Sequence, residues 1–121
     1  AAIRDARPTA IIAVNPMPTF PAAIYDNGLG AVIATGRRNE RAESSGLKTL
    51  AYTDGVLALL AALRAGADEA LFLDTEGHCS EATASNLFVS IGDALLTPPV
   101  SCAALPGITR ATVIEIAGTL G

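Results

Sequence analysis

From Thr53 to Arg64 the residues Val56, Leu57, Leu59, Leu60 and Leu63 recur at helical spacing, and Gly66 then supplies a stop. The next run, Glu69–Asp74, is short and apolar and is closed by the turn Thr75-Glu76-Gly77, which fits a strand. A helix joined this closely to a strand constrains the fold more than any other feature. Its apolar side is expected to pack on a sheet, with Thr53 or Asp54 as N-cap.

The same patterns place the other elements. Residues 1–8 are polar and charged and read as a lead-in. Thr9–Val14 is an apolar run with β-branched residues and predicts a first strand, whereas Asn15–Pro21 carries three prolines and interrupts regular structure. Asn27-Gly28 marks a turn, Ala31–Thr35 a second strand, and Gly36–Arg41 a charged, solvated connection. Ala84–Ile91 and Ala94–Thr97 predict two more strands around a Gly92-Asp93 hairpin turn, ended by Pro98-Pro99. A last helix is expected from about Thr109 to Ala117. Strands, helix, three strands and helix in this order predict an α+β (mixed α/β) fold with a largely antiparallel sheet and packed helices.

With 50% of its 121 residues hydrophobic and 17% charged, the chain has the size and composition to fold around a core. A net charge of −4 and 4% aromatic residues argue against nucleic acid or an anionic membrane as the main partner. No apolar run reaches the roughly 20 residues that span a bilayer, and the start shows no signal-peptide pattern, so a cytoplasmic protein is expected. Cys79 and Cys102 lack metal-type spacing and are expected as reduced, buried thiols. The chain opens on Ala1 and stops after Gly121, and a piece of a longer polypeptide is expected.

Three stretches carry chemistry. Gly46–Tyr52 holds Lys48, the single lysine among eight basic residues, set between leucines. In apolar surroundings desolvation disfavours the charged amine and leaves a nucleophile able to form a Schiff base. A surface lysine lying beside leucines is the plainer alternative. Gly77–Phe88 places Glu81 among small neutral residues, where burial demands a cationic partner or a proton. A protonated pyridine nitrogen is one such partner, and a glutamate facing water is the alternative. Leu105–Arg110 opens the last helix, whose free first-turn N–H groups suit a phosphate. There Gly107 permits close approach and the Thr109 hydroxyl adds a hydrogen bond, unless the stretch is an ordinary Pro-Gly turn with a threonine cap.

Other combinations are weaker. Gly28 and Gly30 lack the third glycine of a dinucleotide loop, because Ile33 stands there, and no βαβ context is foreseen. His78 and Cys79, as neighbours in an extended chain, point to opposite faces. Asp74 and Glu76 read as turn residues, and an anion site at Arg37 or Arg38 is unspecific.

An amine, a carboxylate and an anion-binding helix start are the minimum protein equipment for pyridoxal 5′-phosphate (PLP). Through GLKTLAY, GADEALFLDTEGHCSEATASNLF, LLTPP and LPGITR, in family order and spacing, Gly46–Gly118 resembles the C-terminal domain of the fold-type IV, or class IV, aminotransferases. That group includes branched-chain and D-amino acid aminotransferases and aminodeoxychorismate lyase. The resemblance implies that 1–45 is an interdomain lead-in with the first strands, and that 46–121 is the PLP-binding part of the C-terminal domain. The family's N-terminal domain and C-terminal end would lie outside this stretch, and with them part of the site.

It further implies that Lys48 forms the internal aldimine and shuttles a proton between substrate and cofactor, and that Glu81 pairs with the pyridine nitrogen. Leu105 would pack on the ring face. The Ile108 and Thr109 amides, with the Thr109 hydroxyl, would hold the phosphate beside Gly107. Tyr52 matches a position whose phenol approaches the cofactor's ring oxygen, at slightly different spacing. Ala51, Thr53 and Cys79 replace the family's common Asn, Leu and Val without removing a catalytic group. The implied activity is amino-group transfer between an amino acid, of branched-chain or D-amino acid type, and a 2-oxo acid, in a cytoplasmic homodimer without a metal. Aminodeoxychorismate lyase-type elimination, or a truncated domain inactive in isolation, are the alternatives.

Overall fold

The computed structural model describes residues 7–17 and 19–121. Its elements are α1 (Ala22–Asn27), β1 (Ala31–Arg38), α2 (Thr53–Arg64), β2 (Glu69–Asp74), β3 (Cys79–Ala82), β4 (Val89–Ile91), β5 (Ala94–Leu96) and α3 (Ile108–Leu120). A single 3-10 turn, Val100–Cys102, precedes α3. One sheet has the order β1-β2-β3, and β4 and β5 form a separate hairpin. β2–β3 and β4–β5 are antiparallel, in line with the mixed α/β fold expected. β1 and β2 are parallel, with Ala31 opposite Glu69, because α2 carries the chain back to the starting end of the sheet. Among the described residues, no helix is long and apolar enough to cross a membrane.

α2 has the bounds its periodicity predicts, but Tyr52, not Thr53 or Asp54, is the N-cap. Asp54 in the first turn and Arg64 in the last suit the helix dipole. The face turned to the sheet is also different from the leucine face expected. Gly55 and Ala62 are buried, while Val56, Leu57, Leu60 and Leu63 are exposed. The helix is apolar on most sides, so periodicity alone does not select a face; the small side chains let the backbone approach the sheet closely, and that face packs. The resulting core is Ala34, Ala62, Ala67, Ala70 and Phe72, with Val32 and Ala58 against it. Gly66, in the left-handed region at φ 80, ends the helix by donating to the Leu63 carbonyl.

Elsewhere the expectations need correction. The first strand at Thr9–Val14 does not form: Ile11, Ile12 and Val14 lie exposed outside both sheets. β-Branched residues favour a strand only where a partner edge and a face to cover exist. Of the polar lead-in, residues 1–6 fall outside the described residues. α1, not foreseen, starts after Pro21 and stops at Gly28, at φ 73. β1 continues past Thr35 to Arg38, so half of the presumed loop is strand. Of the strand expected over Ala84–Ile91 only Val89–Ile91 forms, apart from an isolated bridge of Asn86 to Glu81. β3 ends at Ala82, and the chain reverses with Ala82 N–H on the Ser85 carbonyl. α3 is longer at both ends than predicted. A βαβ unit, β1-α2-β2, does exist, yet Gly28 and Gly30 precede its first strand and cannot form a nucleotide loop after it.

Candidate active site

The lysine loop is held from below by the turn between β2 and β3. Glu40 accepts hydrogen bonds from the Thr75 hydroxyl at 2.6 Å and the Thr75 N–H at 3.1 Å, and Arg41 pairs with Glu76 at 3.0 Å. Thr75 holds the Glu40 carboxyl below its ordinary value, its hydroxyl contributing most. Gly46, in the left-handed region at φ 76, then turns the chain toward Lys48. Lys48 Nζ lies 5.8 Å from the centroid of the Tyr52 ring. The apolar surroundings expected of Lys48 are not supplied by this stretch: Lys48 is exposed, and Leu47 and Leu50 are turned to solvent.

Glu81 sits on β3 and is buried, as a site carboxylate must be to bind strongly. Its Oε1 pairs with Arg38 at 3.1 Å. Its Oε2 accepts from the Leu105 N–H at 2.7 Å and from Asn86 Nδ2 at 3.3 Å. An ionised carboxylate offers about four acceptor positions, so these three donors leave room for one more. Arg38, in turn, lies 4.7 Å over the Phe72 ring, and its buried Nε has no partner among the described residues. The cationic partner that burial demands is therefore present within the chain.

Sequence reasoning named Arg38 only as an unspecific anion site, without its partner Glu81, and gave Asn86 no place beside the carboxylate. For Arg38 the signal was strand parity: Val32, Ala34 and Arg38 share the inward face of a strand that does not stop at Thr35. Asn86 carried no such signal, because its role depends on the reversal after Ala82.

At the other end, α3 begins at Ile108 with Gly107 as N-cap and no side-chain cap. The Ile108 and Thr109 amides at its start have no intrahelical acceptor. Arg110 fastens this turn by donating to the Pro98 carbonyl at 2.9 Å. Lys48, Tyr52, Glu81 and Leu105 line one small cavity of about 80 Å³, together with Arg38. An adjoining one of about 610 Å³ is lined by Lys48, Leu105, Asn86, Gly107, Ile108 and Thr109. Four separate segments thus meet, with Lys48 and Leu105 common to both cavities. An amine, a buried carboxylate and a helix start with free N–H groups fit the chemistry of PLP.

Two other features are structural. Asp74, buried, accepts from the Glu76 and His78 amides and from His78 Nδ1 at 3.1 Å. Burial acts to raise its carboxyl, but the His78 bonds and the Cys102 thiol outweigh this and hold it below the ordinary value. Burial, then the hydrogen bond to Asp74, pushes the Cys102 thiol up. His78 therefore pairs with Asp74 and not with Cys79, and Asp74 acts as a turn acceptor as expected. Cys79, expected buried, is exposed at a strand end. A groove of about 580 Å³ between β1 and α2 is mostly apolar, with Arg37 and Asp54 its charged lining, and holds no cysteine, histidine or lysine.

The family model described as amino-transferase class IV matches residues 3–121. A branched-chain-amino-acid aminotransferase of Salmonella typhimurium is 35% identical over 117 residues, covering 92% of this chain and 37% of that protein. The structure of a branched-chain amino acid aminotransferase from Thermobaculum terrenum in PLP form is similar with a TM-score of 0.70 at 40% identity, over 74% of this chain and 30% of that one. A Legionella pneumophila structure described as a 4-amino-4-deoxychorismate lyase gives a TM-score of 0.72 at 35% identity, over 75% and 34%. The chain spans between 30% and 37% of the length of these relatives.

Proposed function

The chain belongs to the amino-transferase class IV family, and from that premise we propose that it is the PLP-binding part of an enzyme that transfers an amino group between an amino acid and a 2-oxo acid. The observation that carries this reading is the meeting of Lys48, Glu81, Leu105 and the α3 start around two adjoining cavities. Bound PLP supplies an electron sink for charge developing at the α-carbon of an amino acid. Lys48 is the residue that would hold its carbonyl carbon and, once released, move a proton at the substrate's α-carbon. Glu81, with acceptor capacity left beyond Arg38, Leu105 and Asn86, would hold the proton on the ring nitrogen. Leu105 would cover one ring face, and Tyr52 would face the ring oxygen. The Ile108 and Thr109 amides and the Thr109 hydroxyl would take the phosphate, with no Gly107 side chain in the way.

The branched-chain class of substrate is favoured by the Salmonella and Thermobaculum relatives. The family likeness also supports a cytoplasmic homodimer and a site completed by segments outside 46–121. A second reading, elimination from aminodeoxychorismate, is favoured by the Legionella structure. Amino-group exchange from a branched-chain amino acid to 2-oxoglutarate, against pyruvate release from aminodeoxychorismate, separates the two.

The test is to add PLP to the full-length protein, reduce with borohydride and map the labelled peptide. A reducible absorption band with the label on Lys48 is expected, and Lys48→Ala should lose both band and turnover while keeping its circular dichroism. A label on another residue, or none, overturns the reading.

A further inference from the structure

One side chain connects the carboxylate to the start of α3. Asn86 Nδ2 donates to the Leu105 carbonyl at 2.9 Å and to Glu81 Oε2 at 3.3 Å. Both partners are acceptors, so the amide nitrogen must face them. This turns Oδ1 toward Gly107, where any Cβ would run into it. Gly107 itself has φ −67 and ψ 143, a conformation open to any residue. Within the chain, then, it is the Asn86 oxygen and not the backbone that a side chain at this position would have to displace. Outside Asn86, the nearest contact of that Cβ, with Arg110, is an ordinary one at 3.7 Å.

We propose that Asn86 is a positioning residue that sets the separation between the Glu81 carboxylate and the first turn of α3, and so matches the ring-nitrogen and phosphate ends of one bound PLP. The inference rests on the cofactor reading above. Without the amide, Glu81 keeps Arg38 and the Leu105 N–H, and α3 keeps Arg110 on Pro98. The Leu105–Gly107 segment between them then keeps Glu81 on the Leu105 N–H but loses the side-chain bond to the Leu105 carbonyl. A ligand that uses both ends is sensitive to that loss, and a ligand that uses one end is much less so.

The experiment compares PLP with pyridoxal, which lacks the phosphate, by absorption titration of the full-length protein. Asn86→Ala is expected to weaken PLP binding about tenfold, the scale of one well-placed hydrogen bond, with little change for pyridoxal. A merely structural role would lower the melting temperature and both affinities together. Asn86→Ser, which keeps a short donor, should give a smaller drop in the PLP-to-pyridoxal ratio and serves if the alanine variant does not fold. Gly107→Ala should weaken PLP binding in the wild-type background and cost less in Asn86→Ala, where the obstructing oxygen is gone. An unchanged ratio in the Asn86 variants, or additive effects of the two substitutions, overturns the inference alone. A wild-type protein that captures neither aldehyde overturns the cofactor reading and this inference with it.

Discussion

At the scale of single residues, Glu81 is a buried acceptor shared among Arg38, Leu105 and Asn86, and its replacement tests the whole arrangement. Glu81→Gln keeps the shape but loses the charge, so Arg38 is left beside Phe72 without its ion pair. The variant is expected to lose about 1–3 kcal/mol of stability, the cost of leaving a partly buried polar group without its partner. In the full-length protein it should also slow turnover, since a neutral amide holds a ring proton weakly. Urea unfolding and steady-state rates measure the two effects, and an unchanged rate would remove Glu81 from the chemistry. The thiols give a second residue-scale test. Cys102 has its thiol pushed up by burial and by Asp74, whereas Cys79 is exposed. Iodoacetamide near neutral pH should therefore label Cys79 first, as peptide mass mapping would show. The residue types needed for the site were legible from sequence, whereas the burial of each was not: Lys48 proved exposed and Glu81 buried.

At the scale of elements, the β2–β3 turn and the loop leading to Lys48 are fastened by Glu40 and Asp74, both held below their ordinary values. A carboxylate with a depressed folded-state value stabilises fully above its ordinary value, and that contribution is lost as pH falls through the folded one. Stability should thus decline on acidification below 4.5 for Glu40 and below 3.8 for Asp74. Glu40→Gln and Asp74→Asn should each flatten that acid limb in denaturant unfolding between neutral and acidic pH; unaltered slopes would show that other groups set it. α2 and β2 were readable to the residue because their periods and stops, Gly66 and Gly77, are local. β3 was not, since Cys79–Ala82 has little strand propensity and is strand only because β2 lies beside it. The α2–sheet contact depends on Phe72, the single large side chain in an otherwise alanine core. Phe72→Ala should cost about 3–5 kcal/mol and free Arg38 from the ring beneath it, a loss measurable by urea unfolding.

For the molecule as a whole, a core of four alanines and one phenylalanine is small against the apolar surface left outside it. Ile11, Ile12, Val14, Leu50 and Ile108 are more than four-fifths exposed, as is Leu120 at the end of α3. Large apolar side chains exposed in this number suit surfaces that another segment or chain covers. Expressed alone, the 121-residue stretch is expected to bind a hydrophobic dye and self-associate in light scattering, where the full-length protein stays a discrete species. A monodisperse, dye-silent stretch would show that these surfaces need no cover.

The sequence by itself determined the element types with strong local signals, the chemical inventory of amine, carboxylate and helix start, and the family those motifs resemble. These depend on spacing along the chain, which is local. Only the tertiary structure decided which face of α2 packs, that β1 and β2 run parallel, that Arg38 is the partner of Glu81, and that Asn86 stands between Glu81 and Gly107. Each of those depends on residues far apart in the chain being brought within a few ångströms, and short-range periodicity carries no record of that.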